Sequence, residues 1–282
     1  MTAEQPFQLP LESGTVLAGA IHEPSTPGCR PAVLICHGFK GFMDWGFFPS
    51  LARLLADRGF VAIRFNFSGC GMRPGDDRVT DPQAFGRATH SKDLDELEAI
   101  IDALGVTLGA DRIDRDRIGL FGHSRGGGTA ILAAGLAQTC NRLRSLVTWS
   151  AVSTFDRLTS EQKELWRRTG GFSVTNARTG QEIELQTVVL EDLERNAARL
   201  EILAAARNCD TPWLIVHGQD DETVPVAEAS RLADAAGETG HLQLIEGGSH
   251  TFGASHPFNG PTPQLIAAFN ATQLWLRRTL CD

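Results

Sequence analysis

Arg117-Ile118-Gly119-Leu120-Phe121 is a short apolar run that reads as a buried strand, and it leads straight into Gly122-His123-Ser124-Arg125-Gly126. A small-residue, Ala-rich run from Gly127 to Ala134 follows and reads as a helix. Strand, sharp turn and helix in direct succession leave the chain little freedom at the turn. A Cβ at either flanking glycine would meet neighbouring backbone. The serine between them is lifted out of the sheet to the amino end of a helix, where free N–H groups and the helix dipole favour negative charge. Gly-x-Ser-x-Gly in that setting is a nucleophile elbow. The plainer alternative is a glycine-rich loop capping a helix through a serine. The rest of the chain decides between them.

Strand and helix signals alternate along the chain. Strands are expected at Thr15 to His22, Pro31 to Cys36, Phe60 to Phe65, Leu143 to Trp149, Pro212 to Val216 and Leu242 to Ile245. Ala32-Val33-Leu34-Ile35-Cys36 is apolar without alternation, as a strand covered on both faces must be. Helices are expected at Phe48 to Arg58, Ser91 to Leu104, Val226 to Ala236 and Thr262 to Leu280. This order implies an α/β chain with a mostly parallel central sheet and helices on both faces, with its chemistry at the carboxyl ends of the strands. Residues 152 to 208 break the alternation. They hold a charged helix (Thr159 to Arg168), a hairpin (Phe172 to Val174 and Glu182 to Leu185) and a helix from about Leu190 to Ala206. The expected division is therefore a core of residues 1–151 and 209–282 with a lid or cap insertion at 152–208.

Composition removes several classes of function. The chain has 282 residues, enough for a large buried core, and a net charge of −8 with no basic block, which argues against nucleic acid and anionic membranes as partners. Its apolar stretches, such as Ala130 to Ala137, are too short to span a bilayer, and the first residues carry no signal-peptide pattern. Cys29, Cys36, Cys70, Cys140, Cys209 and Cys281 form no Cys-x-x-Cys pair and no zinc spacing, so they read as reduced packing thiols of a cytoplasmic enzyme without metal or organic cofactor. The assembly state is left open, a homodimer being one expectation.

Three further strand ends carry what a serine nucleophile needs: a histidine base, and a carboxylate that fixes the tautomer of the base. After Val216 comes His217-Gly218-Gln219-Asp220-Asp221-Glu222-Thr223-Val224-Pro225, with Asp220, Asp221 and Glu222 side by side as candidates for the acid. After Ile245 comes Glu246-Gly247-Gly248-Ser249-His250-Thr251-Phe252, with His250 as the expected base and His256 as its rival. After Cys36 comes His37-Gly38-Phe39-Lys40-Gly41-Phe42. The amides of Phe39 and Arg125 are the expected oxyanion donors, and His37 reads as a structural residue bonded to backbone. Ser, Asp and His stand in the chain order that the elbow fold requires.

On these motifs the chain resembles an α/β-hydrolase from about residue 30 to 255, and more narrowly the dienelactone-hydrolase-like and cinnamoyl (feruloyl) esterase-like groups of small serine esterases. The resemblance implies Ser124 as nucleophile, Asp221 as acid, His250 as base, the Phe39 and Arg125 amides as oxyanion hole, and the 152–208 insertion as a lid. Dienelactone hydrolase proper has cysteine where this chain has Ser124, which turns the expectation toward general ester hydrolysis. The expected substrates are short to medium acyl or aromatic esters. Phe42, Trp45, Trp149, Trp166 and Phe172 are candidates for lining the pocket, against a role in ordinary packing. The same triad also serves peptidases, amidases and thioesterases, and less directly a cofactor-free haloperoxidase or C–C bond hydrolase. A non-catalytic binding protein on a hydrolase fold is the remaining alternative.

Overall fold

A computed structural model describes residues 3–136, 139 and 142–281. Ten strands form an eight-stranded sheet and a separate hairpin. The sheet order is β1 (Ala3–Pro10), β2 (Val16–Glu23), β4 (Val61–Asn66), β3 (Arg30–Cys36), β5 (Ile113–His123), β6 (Leu143–Trp149), β9 (Trp213–Gly218), β10 (Gly240–Ile245). All pairs from β4 to β10 are parallel, and β1 and β2 run antiparallel at one edge. The architecture is the one expected, a mostly parallel sheet covered by helices on both faces.

The central strands are buried on both faces, and consecutive residues alternate between two cores. Ala32, Leu34 and Cys36 of β3 join one core with Leu94, Leu97, Ile100 and Ile101 of α3 (His90–Ala103), the apolar side of α4 (Arg125–Gly135), and Ala229 and Leu232 of α8 (Val226–Ala236). Val33 and Ile35 join the other, with Leu51 and Leu55 of α1 (Phe48–Asp57) and Leu265, Ala268 and Leu276 of α9 (Pro263–Leu280). The expected strands and core helices are present, with ends shifted by a few residues. β1 was not expected. Only Phe7 and Leu9 are prominent apolar residues there, and Pro6 suits an edge rather than a sheet interior. Its pairing with β2, with the Phe7 ring seated against Gly19, is a tertiary effect.

The 152–208 stretch carries α5 (Ser160–Thr169), the hairpin β7 (Gly171–Asn176) and β8 (Gln181–Gln186), α6 (Thr187–Arg195) and α7 (Ile202–Arg207). The single helix expected from about Leu190 to Ala206 is two. α6 packs in a small separate cluster with Trp166, Ile183 and Leu185, whereas Leu200, Ile202 and Ala206 belong to the main core beside α4. One straight helix cannot serve both surfaces, and the chain turns between them at Asn196–Glu201. By packing, then, the excursion ends near residue 200. It also takes in residues outside the expected boundary, since Val79 and Phe85 join its cluster and a Cβ on Gly86 of α2 (Pro82–Gly86) would lie 2.5 Å from the Glu184 carbonyl.

Two aromatics expected at the pocket are core residues instead. Trp149 is fully buried among Phe47, Phe121, Phe252 and Phe269, and its indole N–H donates to Thr272 Oγ1 at 2.9 Å. As the last residue of β6 it points to the face covered by α9. Phe42 is buried beneath its own loop, edge-on to His256. Cys29, Cys36, Cys70, Cys209 and Cys281 form no disulfide, and Cys140 lies outside the described residues. No helix among the described residues is long and apolar enough to cross a membrane.

Trp149→Ala is expected to cost about 3–5 kcal/mol of stability, the range for emptying a large aromatic site. Urea denaturation followed by circular dichroism measures this. A stability close to wild type would contradict the core placement.

Candidate active site

Ser124 ends the elbow with φ 57° and ψ −122°, a backbone that non-glycine residues rarely adopt and that suggests stored strain. Close packing enforces it. A Cβ on Gly122 would fall 2.4 Å from the Gly126 carbonyl oxygen, and one on Gly126 would fall 2.2 Å from that of His37. The Ser124 amide donates to the Trp149 carbonyl at 2.9 Å, which ties the turn to the end of β6.

His250 bridges the other two side chains. Its Nε2 is 3.0 Å from Ser124 Oγ, and its Nδ1 is 2.9 Å and 3.1 Å from the two carboxylate oxygens of Asp221. With the proton on Nδ1, that N–H donates to Asp221 and the Nε2 lone pair faces the serine hydroxyl. Asp221 also accepts from the amides of Thr223 and Val224 at 2.9 and 2.8 Å. Burial alone would raise its pKa, but hydrogen bonding to His217 and His250 and to the Val224 amide outweighs burial and holds it well below the usual carboxylate range. The rivals Asp220 and Glu222 are exposed. His256 accepts from the Gly46 amide at 3.0 Å and makes no hydrogen bond to Ser124.

The loop after β3 comes up against the serine. A Cβ on Gly38 would lie 2.9 Å from Ser124 Cβ. His37 Nδ1–H donates to the Gly38 carbonyl at 3.0 Å, and its Nε2 accepts from the Phe67 amide at 3.1 Å, as a structural histidine would. Arg125 is the first residue of α4, so its amide has no carbonyl partner within the helix. Its side chain turns inward. It pairs with buried Asp93 at 3.0 Å and lies over the Phe39 ring at 5.0 Å.

Two cavities meet at these atoms, and Phe39, Lys40, Ser124 and His250 line both. The larger, about 500 Å³, is mostly apolar and is walled by Phe155 and by Trp166, Phe172, Leu185 and Leu190 of the excursion. The smaller, about 210 Å³, is lined by the loop after β3 and the hairpin tip and includes Trp45. The structure therefore brings Ser124, Asp221, His250, Phe39, Arg125, Trp45, Trp166 and Phe172 together, and leaves out Phe42 and Trp149.

Residues 33–267 match the family model described as Alpha/beta hydrolase family. The chain belongs to that family. Among solved structures, this hydrolase is similar to Est1E from Butyrivibrio proteoclasticus, with a TM-score of 0.70, 18% identity, and 98% of this chain and 99% of that one covered. It is 26% identical over 258 residues to non-heme chloroperoxidase CPO-A1 of Kitasatospora aureofaciens, covering 78% of this chain and 85% of that protein. A 31.7 kDa Escherichia coli protein from the traX-finO intergenic region is 29% identical over 147 residues, 52% of this chain. That match spans about half, 46%, of the Escherichia coli protein.

Sequence reasoning gave no role to several residues that support the site. His217 Nε2 lies 2.8 Å from the Val224 carbonyl oxygen and 3.4 Å from Asp221. His123 Nε2–H donates to the His250 carbonyl at 2.9 Å. Arg157 joins the excursion to the acid loop through buried Glu228 at 2.6 Å and the Thr223 carbonyl at 3.2 Å. His123, Ser124's neighbour in the motif, and His217, which opens the acid motif, were visible by position. Arg157 had no local signal.

Burial, with the nearby His250, lowers His123 to a pKa of about 3; burial, against a bond to the Gly38 carbonyl, lowers His37 to about 4. In the unfolded chain both return to the ordinary histidine value of about 6.5. Between these limits the unfolded chain binds more protons than the folded one, so stability falls as pH falls from 6.5 toward 4. Each such histidine contributes at most about 1.4 kcal/mol per pH unit. Urea midpoints at pH 7.5, 6 and 5 are expected to drop in that order, with a shallower slope for His123→Gln.

Proposed function

We propose that this hydrolase cleaves carboxylic esters of short to medium acyl or aromatic groups through a covalent acyl-serine. The observation that carries the reading is the Ser124–His250–Asp221 relay, with both of its links between 2.9 and 3.1 Å, at the mouth of a mostly apolar cavity of about 500 Å³. His250 Nε2 takes the proton as Ser124 Oγ attacks the ester carbonyl, and the amides of Phe39 and Arg125 hold the oxyanion. The C–O bond then breaks, and the alcohol leaves with the proton from His250. Water, deprotonated by His250, attacks the acyl-serine and releases the acid and the free serine. Asp221 holds the tautomer and offsets the charge of the imidazolium. Trp166 and Phe172 contact the apolar group, and the excursion from about residue 156 to 200 acts as a lid over it.

A second reading draws on the likeness to the chloroperoxidase. In it hydrogen peroxide replaces water in the second step, and the acyl-serine yields a peracid. It requires no change in the serine, histidine or carboxylate.

The test is a p-nitrophenyl ester series from acetate to decanoate with a hydroxycinnamate ester, run on wild type, Ser124→Ala and His250→Ala. Turnover is expected to fall by several orders of magnitude in both variants, about 10³-fold or more. The rate is expected to decline for acyl chains too long for the cavity. Folded wild type that turns over no ester and takes no fluorophosphonate label at Ser124 would overturn the reading. Bromide oxidation in acetate and hydrogen peroxide, absent in Ser124→Ala, would favour the peracid reading.

A further inference from the structure

The cations that line only the larger cavity at Ser124 are paired with carboxylates, whereas the two that line the smaller are not, and one of those two, Lys40, lines both cavities. In the larger, Arg125 is paired with Asp93 at 3.0 Å and Arg157 with Glu228 at 2.6 Å. The smaller is lined by Lys40 of the loop after β3 and by the exposed Arg178 of the hairpin tip. Neither has a carboxylate partner among the described residues. Lys40 Nζ donates to the Thr175 carbonyl at 3.1 Å, and Arg178 donates to the backbone carbonyl of Asp77 rather than to its carboxylate. No Asp or Glu lines this cavity. Its remaining polar groups are Asn176, Thr251 and the histidines at the site.

Two cations without carboxylate partners at one cavity of about 210 Å³ favour an anion there, an effect that solvent reduces at the exposed Arg178. We propose that the smaller cavity is a subsite for an anionic group, a carboxylate carried a few atoms from the scissile ester, held between Lys40 and Arg178. The preferred substrate is then an ester with a bulky apolar group on one side and a short acidic group on the other. This deepens the esterase reading and rests on it.

Two substrate pairs test it, one for each polarity of the ester. Hexyl hemisuccinate is compared with hexyl succinamate, and 3-carboxypropyl hexanoate with its carboxamide. Within each pair the charge changes and the shape does not. Wild type is expected to favour the carboxylate member of one pair by about tenfold or more in kcat/KM, and less so in 0.5 M salt. Lys40→Met and Arg178→Gln are each expected to cut that ratio severalfold, and the double variant to bring it near one. Neutral esters hydrolysed with no carboxylate preference in either pair would overturn the subsite while leaving the esterase reading intact. So would a preference that the double variant retains. If no ester is hydrolysed, the esterase reading fails, and calorimetric titration of hexyl hemisuccinate and 3-carboxypropyl hexanoate into Ser124→Ala decides the subsite separately. Binding of one of them about tenfold tighter than to the same protein carrying Lys40→Met and Arg178→Gln supports the subsite. Equal affinities, or no binding, would overturn it.

Discussion

Backbone packed directly on backbone at the carboxyl ends of the strands is the contact on which the rest of the site depends. At Gly126 the start of α4 lies so near the His37 carbonyl that a methyl group would sit 2.2 Å from it. At Gly218 the end of β9 meets the Gly248 carbonyl with only 2.1 Å for a Cβ. The first contact seats the oxyanion loop against the elbow, and the second seats the acid loop against the histidine loop. Side chains between these loops would hold the same groups apart. The relay distances near 3 Å follow from loops that touch at main-chain level.

Around that contact the charge pattern is uneven, and the unevenness has a physical order. Histidines that brace the site are buried and neutral, so they serve as fixed donors and acceptors: His37 on the oxyanion loop, His123 under the histidine loop. Buried carboxylates hold the excursion to the core. Asp192 of α6 accepts from the Ser91 amide and hydroxyl at the start of α3, and Glu228 binds Ser153 and Arg157. A buried carboxylate is costly without such partners: Glu228 is paired with Arg157, and Asp192 accepts hydrogen bonds from Ser91 and Asn196. The excursion is therefore anchored at defined points while its small apolar cluster forms the roof of the larger cavity. Lys40, which lines both cavities, and Arg178, which lines the smaller, have no carboxylate partner among the described residues.

Legibility in the sequence followed the range of the interaction. The elbow, the parallel strands and the loops bearing Asp221 and His250 were readable because each depends on neighbours in the chain: a glycine beside a serine, an unbroken apolar run, a motif just past a strand. β1 was not readable, because its pairing partner supplies nearly all the reason for its conformation. The break between α6 and α7 was missed because both halves have helical sequence and only their different packing surfaces separate them. Phe42 and Trp149 have the composition of pocket residues and the right position along the chain. The face toward which each ring turns is set by α9 and the oxyanion loop packing around them.

The sequence by itself determined the family architecture and the identity of the three groups in the relay, since local backbone demands and strand-end position specify both. The tertiary structure alone decided which aromatics face the cavities, where the excursion rejoins the core and which cations are left uncompensated beside Ser124. Those properties depend on which surfaces meet across long stretches of chain. Side-chain direction and charge pairing are settled only after the sheet, its helices and the excursion have packed together.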